Sequence, residues 1–533
     1  MKIKLSDSVM VVSFVALAAT AGWLLVNDVD AKASSERTKP SPPKRPLLTF
    51  ETPQSRNTER SRTKSKESIS LESLLALPNE KLVVFENEAD YRNFLKSAAQ
   101  SNLRILGTLD RLRAARVGFD NLSDLEGLAD SEQTAPNFFA SLPSFPGDGQ
   151  IQDSAVGFGQ NALQSLGITG DNSLWGENVT VAVIDSGIVS HETIPENVIH
   201  FDLVQDDSSA SELSGHGTAV ASIIAGQDSF TPGVSPASQL IDVRITDTEG
   251  SSNSFLLAEG IITAVDQGAD VINVSLGSYG DSSLVEQAVE YASANGAIIV
   301  ASSGNEGLEQ PAFPAGYEDV IAVGAIDREG TLVDFSNTGE NLDLTAPGLD
   351  LPAAWTEDRV ISFTGTSASA PFVTGAIATA MSEFNLTSSQ AAEFVLDFTN
   401  EAGAPGDDLL YGQGTLDVGR VINSDTRGIN DIAAVSNLVQ TADGTSVVSV
   451  VQNQGTETIT NAEVTISTPL ATIPLRVASL SPGAIQTFDI PTRLPNQGDD
   501  FLITTEANLT QAFQDAEPSN NVRTTSFTAV ETP

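Results

Sequence analysis

No cysteine occurs in the 533 residues, which excludes disulfides, thiolate nucleophiles and thiolate metal sites. Histidine is nearly as scarce: His191, His200 and His216 are the whole supply of imidazole for acid–base work. Lysine ends at Lys96, and only eight arginines follow Arg116. A Ser–Lys dyad is therefore impossible beyond residue 96, and the formal net charge of −43 is concentrated in the C-terminal bulk of the chain. So acidic a surface repels phosphate backbones and argues against nucleic acid as a partner. What is present is 40% hydrophobic residues and 41 glycines, enough to bury sizeable cores over roughly three or four domains.

Lys2 and Lys4 precede an uncharged run over residues 9–26, which Asp28 and Asp30 close. This is the layout of an export signal. The run reaches the lower limit for a membrane span, while Ala31-Lys32-Ala33 resembles a cleavage site. Residues 1–33 thus fit a cleaved signal peptide or a retained signal anchor, and either sends the remainder out of the cytoplasm. Residues 34–79, rich in Ser, Pro, Lys and Arg, are expected to be a disordered basic linker, able to lie along anionic headgroups as part of a membrane tether. Residues 80–130 regain folded patterning. A strand is expected over 81–85, a helix over 88–100 with Tyr91, Phe94, Leu95 and Ala98 on one face, strands over 103–106 and 112–119, and a short helix over 122–128. That is a small α+β domain. Residues 131–156, with Pro136, Pro143 and Pro146, are expected to be an accessible linker carrying a processing site.

From 157 to 421 short apolar strands (179–184, 239–245, 269–275, 296–302, 320–325) alternate with helical stretches (217–225, 254–267, 282–294). Continuous apolar strands between amphipathic helices specify α/β architecture with a doubly wound, mostly parallel sheet. Functional groups in such sheets gather beyond the carboxyl ends of the strands, where Asp185 and residues 275–277 fall. Residues 428–533 change again to alternating runs such as 446–451 and 462–466, separated by turn signals, the pattern of a β-sandwich.

Chemistry concentrates around residues 364–381, an uncharged stretch that reads as a centrally buried helix with Pro371 in its first turn. Ser367 sits at its amino end, beside free N–H groups and the positive end of the dipole. Alone, Gly365-Thr366-Ser367 fits a capped core helix as well as a nucleophile's seat. A serine needs a base, usually histidine held by a carboxylate. His216, in Gly215-His216-Gly217-Thr218 at the start of an apolar helix, suits that base, whereas His191 and His200 lie in polar loops and are expected at the surface. Asp185 ends a buried strand before Ser186-Gly187, and Asn305, in Gly304-Asn305-Glu306, offers an amide donor at the end of another.

In this order, Asp185-Ser-Gly, His216-Gly-Thr, Ser275-Leu-Gly, Gly304-Asn305-Glu and Gly365-Thr-Ser367-Ala-Ser-Ala-Pro371 resemble the motifs of the subtilisin-like serine proteases (subtilases, peptidase family S8). The resemblance spans residues 157–421. It implies a serine endopeptidase in which Ser367 attacks the scissile carbonyl, His216 is general base then acid, and Asp185 orients His216. Asn305 and the Ser367 N–H would form the oxyanion hole. Ser275, Leu276 and Gly277 would pair with an extended substrate, and Ser302, Ser303 and Gly304 would line the primary specificity pocket, where Glu306 would favour basic residues. It further implies that residues 80–130 resemble an inhibitory propeptide and residues 428–533 a CARDB-type adhesion module of Ig-like form, so that the protein is made as a precursor. Partners are then protein or peptide substrates and the chain's own propeptide. No cofactor is required; many relatives carry a calcium loop where residues 227–234 are short here, so structural calcium is compatible with the family but assigned to no residue. The alternative is a catalytically silent adhesion protein using its C-terminal sandwich, which the presence of every catalytic side chain disfavours.

Overall fold

The apolar run at residues 82–84 anchors the first sheet of the structure, a computed structural model that describes residues 2–5, 75–147, 149–204, 206, 208, 213–440, 446–493, 500–510 and 513–530. Strand β1 (Ala76–Val84) inserts Leu82 and Val83 into the interior. Helix α1 (Glu88–Ala98) is capped by the Asn87 side chain, which accepts from the Asp90 N–H, and buries Tyr91, Phe94 and Ala98. Strands β2 (Arg104–Leu109) and β3 (Ala114–Gly118) and the short helix α2 (Leu122–Glu126) complete the α+β unit. The stretch expected to be linker from residue 131 instead begins with a strand, β4 (Thr134–Ser141), which pairs antiparallel with β1. Pro136 is tolerated there because β4 lies towards the edge of its own unit. Its far edge is covered by a three-residue strand of the next unit, Phe139 facing Asn253 and Ser141 facing Ser251.

The central unit is the expected doubly wound sheet. Its strands are β5 (Thr180–Asp185), β6 (Ile199–Asp202), β7 (Gln239–Arg244), β9 (Val271–Val274), β10 (Ile298–Ser302), β11 (Val320–Ile326) and β12 (Leu344–Pro347); β8 is the short strand Ser251–Asn253 that meets β4. All pairs in the order β12-β11-β10-β9-β5-β7-β6 are parallel. Successive strand residues feed opposite cores. Val181 and Val183 face helices α3 (His216–Ala225) and α6 (Thr366–Phe384), with α7 (Ser388–Asp397) behind. Ala182 and Ile184 face α4 (Ser254–Asp266) and α5 (Ser283–Ala294). A hairpin of β13 (Leu351–Trp355) and β14 (Arg359–Phe363) leads into α6.

After α8 (Val418–Ile422), β15 (Ile432–Gln440), β16 (Ser446–Asn453) and β19 (Ile485–Pro491) form one antiparallel sheet. Strands β17 (Ile459–Ser467), β18 (Thr472–Leu480), β20 (Asp500–Asn508) and β21 (Val522–Val530) pair antiparallel in another. Ile432, Val447 and Val451 from the first share one apolar cluster with Val464, Ile466, Phe501 and Phe527 from the second. This unit is pinned to the central one through Arg420, whose guanidinium donates to the carbonyls of Phe398, Thr399 and Gln454. Among the described residues no helix is long and apolar enough to cross a membrane. The apolar run over residues 9–26 and residues 34–74 of the expected basic linker lie outside the described residues, whereas residues 76–79, also expected to be disordered linker, are the first residues of β1.

Candidate active site

Asp185 is the last residue of β5, at the carboxyl edge of the sheet, where the chain turns through Ser186 and Gly187. Both its oxygens lie 2.9 Å from His216 Nδ1, and one also accepts from the Ser186 N–H at 2.7 Å. Carboxylate and imidazole are both buried. A carboxylate on Nδ1 holds the proton there and leaves Nε2 free to accept. His216 is the first residue of α3, and Ser186 Oγ fixes the turn by donating to the Ser214 carbonyl and accepting from the Gly217 N–H. The edge of Phe363 closes on the imidazole with ring centroids 5.2 Å apart.

One strand over, Asp242 is buried opposite Val183 and accepts from, or shares a proton with, the exposed His200 ring at 2.8 Å. Burial pushes the Asp242 carboxyl up, and the nearby Asp185 charge adds to the rise, while His200 opposes it. The same contact raises His200 above the ordinary histidine value. His191, expected at the surface, is buried: its ring accepts from the Thr193 N–H and lies 3.2 Å from the Arg359 carbonyl.

Ser367 is the second residue of α6 and almost fully buried. Its hydroxyl donates to the Ser275 carbonyl at 3.1 Å, and its own carbonyl accepts from Ser275 Oγ at 3.3 Å. The second bond has a sequence cause. Pro371 lies in the second turn, not the first as expected, and its missing N–H would have served the carbonyl four residues back, that of Ser367. Asn273 and Thr374 hold Ser275 in turn, Asn273 Nδ2 donating to Ser275 Oγ and Thr374 Oγ1 to Asn273 Oδ1.

Asn305 follows the end of β10. Its Oδ1 accepts from both the N–H and the hydroxyl of Thr366 at 2.9 Å, which turns Nδ2 outward; there it donates to the carbonyl of Ser144 at 3.4 Å. Thr366 Oγ1 also accepts from the Gly304 N–H. Ser302 and Ser303 are buried at the end of β10, and Gly304, at φ +112°, packs so closely that a Cβ would lie 2.3 Å from Asn337 Nδ2. Leu276 is buried, and Gly277 exchanges two backbone hydrogen bonds with Ser141. The Glu306 carboxylate is engaged from within, accepting from the Tyr279 hydroxyl, the Asn305 N–H and Asn337 Nδ2. Burial first, then Glu306, raises the Tyr279 phenol.

All four expected catalytic side chains therefore lie at one edge of the sheet, in two hydrogen-bonded pairs of elements. Sequence reasoning misses Thr366, whose place in Gly-Thr-Ser signals no role of its own, and the aromatic pair Trp355 and Phe363 on a hairpin without a recognisable motif. An imidazole with an accepting Nε2, a hydroxyl at a helix amino end and an outward amide can together perform acyl transfer. Among the described residues no three His, Asp or Glu side chains gather so as to hold a metal ion.

Residues 176–414 match the peptidase S8 family, described as the subtilase family. Subtilisin DY of Bacillus licheniformis is 35% identical over 249 residues, covering 46% of this chain and 90% of that protein. The thermophilic serine proteinase of Bacillus sp. (strain AK1) is 34% identical over 279 residues, 51% of this chain and 69% of that protein. A crystal structure of the epidermin leader peptide processing serine protease from Staphylococcus aureus shares the fold at a TM-score of 0.54 and 20% identity, covering 65% of this chain and 98% of that one.

Proposed function

Because the chain belongs to the subtilase family and is a subtilisin-like serine endopeptidase, we propose that Asp185, His216 and Ser367 are its catalytic triad, with Asn305 as oxyanion donor. The observation that carries the assignment is the buried Asp185–His216 contact, 2.9 Å from each carboxylate oxygen to Nδ1. In the reaction Ser367 Oγ leaves the Ser275 carbonyl, passes its proton to His216 Nε2 and bonds to the substrate carbonyl carbon. Asp185 keeps the ring oriented and stabilises the imidazolium. The carbonyl oxygen becomes an oxyanion, and Asn305 Nδ2 and the Ser367 N–H donate to it. His216 then protonates the leaving amine, and water repeats the sequence on the ester. Substrate enters as an added strand along Ser275, Leu276 and Gly277, and its acyl-side side chain meets Ser302, Ser303 and Gly304.

The same reading covers the flanking segments. Residues 1–33 direct export, residues 80–130 with β4 act as a propeptide on the central unit, and the chain is made as a precursor. The C-terminal unit is a CARDB-like, Ig-like sandwich. Its two antiparallel sheets around one apolar cluster support that form. Casein hydrolysis by the full chain beside Ser367→Ala tests the reading. The substitution is expected to lower the rate at least about 10,000-fold; equal hydrolysis by both proteins would refute it.

A further inference from the structure

The chain between β4 and the central unit does not loop away from the candidate site; it crosses it. Ser141 exchanges two backbone hydrogen bonds with Gly277 at 3.1 and 3.2 Å, and the Leu142 N–H donates to the Gly250 carbonyl at 2.9 Å. Three residues beyond Ser141, the carbonyl of Ser144 accepts from Asn305 Nδ2. The next side chain, Phe145, packs on Trp355 and Phe363, centroids 6.0 and 5.9 Å away, and Phe363 in turn lies against His216. Further on, Gln150 Nε2 donates to the Asn305 carbonyl, and Gln152 bonds both the Leu332 carbonyl and the Asp334 N–H. The segment is thus anchored on both sides of one peptide group.

Its sequence, Leu142-Pro143-Ser144-Phe145-Pro146-Gly147, restricts which bond can react. A bond whose nitrogen belongs to proline has a tertiary amide as leaving group, and a proline on the acyl side has no N–H to give the cleft edge. Of the five bonds from Leu142 to Gly147, Ser144–Phe145 alone has proline on neither side. It is also the bond whose carbonyl meets the oxyanion donor. We propose that Ser144–Phe145 is the bond this chain cuts in itself, an inference that rests on the protease reading above. Ser367 Oγ bonds to the Ser144 carbonyl carbon, the C–N bond to Phe145 breaks, and the hydroxyl proton passes through His216 to the Phe145 nitrogen. Water then hydrolyses the ester, leaving a Ser144 carboxylate and a free amino group on Phe145.

The test uses the full-length chain as wild type, Ser367→Ala and Phe145→Pro, with new amino termini read by sequencing and intact mass. Wild type is expected to yield a species beginning at Phe145, and both variants to lose it. A synthetic peptide of residues 139–150, given to processed wild-type protein, is expected to be cut between Ser144 and Phe145, which keeps the test independent of how Phe145→Pro folds. A wild-type protein that hydrolyses casein but begins at any other residue, Ser144 included, overturns the proposal and leaves the protease reading standing. So does a Phe145→Pro chain cut at that bond as fast as wild type, or a peptide cut elsewhere. A wild type that cuts neither casein nor itself sinks both.

Discussion

Asn305 divides its amide between two tasks, and the division makes its contribution measurable. Oδ1 is held by Thr366 twice, so Nδ2 has one orientation, towards the Ser144 carbonyl oxygen, where the proposed oxyanion would form. A donor fixed in advance favours the charged transition state more than the neutral substrate. Asn305→Ala is therefore expected to lower kcat about 100- to 1,000-fold, the range measured for an oxyanion asparagine of a subtilisin, with KM changed little. Steady-state kinetics on a chromogenic peptide checks this; a change confined to KM would contradict it. The positions of Asp185, His216, Ser367 and Asn305 at strand ends and helix starts were legible because each stands in a short motif with glycine within two residues. The burial of His191 was not, since its ring partner, the Arg359 carbonyl, lies 168 residues away. The bonds to Glu306 Oε2 were hidden for the same reason: Tyr279 and Asn337 are remote in sequence.

At the scale of elements, helix α6 and the turn before it fix Ser367, the proposed nucleophile. Gly365 adopts φ +137°, and a Cβ there would stand 2.8 Å from Asn305 Nδ2. Gly365→Ala would strain the turn and push the amide away from its position. It is expected to lower kcat by about tenfold or more while the protein still folds, measured by kinetics beside circular dichroism. Unchanged kcat would show that the turn does not govern Asn305. The interior strands and their helices were readable from apolar runs and helical spacing. The outer strands β6 and β12 were not expected, because Ile-His-Phe-Asp and Leu-Thr-Ala-Pro carry no continuous apolar run. Strand β4 escaped because it is held by backbone pairing to the polar Ser251–Asn253 and contains Pro136, so its sequence resembles a linker. Pro371 is instructive: the sequence places it in the first helical turn, yet it lies in the second, where it frees the Ser367 carbonyl for Ser275.

For the whole molecule, the acidic balance seen first in the composition has a structural consequence where the C-terminal unit docks. Asp431 is buried there, and desolvation, with the charges of Asp515, Asp417 and Glu517, pushes its carboxyl up to about 7. In an unfolded chain an aspartate titrates near about 4. Between those values the folded state holds the extra proton, so this group's contribution to stability declines as pH rises from about 4 to about 7 and is flat above. Burial moves Glu401 and Asp343 in the same direction, to about 7 and about 6. Asp431→Asn keeps the oxygen that accepts from Asn520 Nδ2 but cannot ionise. Its Tm is expected to exceed that of wild type near about pH 8 and to converge with it near about pH 4, read by scanning calorimetry. A constant offset across pH would contradict the assignment. The change to antiparallel strands after residue 428 was legible from the alternating runs. The docking was not, because it depends on Arg420 reaching carbonyls on both units.

The central claim is that Ser367 is the nucleophile of a serine endopeptidase, and covalent labelling tests it most directly. Processed wild-type protein is treated with a fluorophosphonate, which traps a serine only when a neighbouring base activates it. Peptide mapping by mass spectrometry then locates the adduct. The account predicts one phosphonylated site, Ser367, loss of peptide hydrolysis in step with labelling, and no adduct in His216→Ala. An adduct on another serine, or hydrolysis that persists once Ser367 is fully labelled, would contradict it.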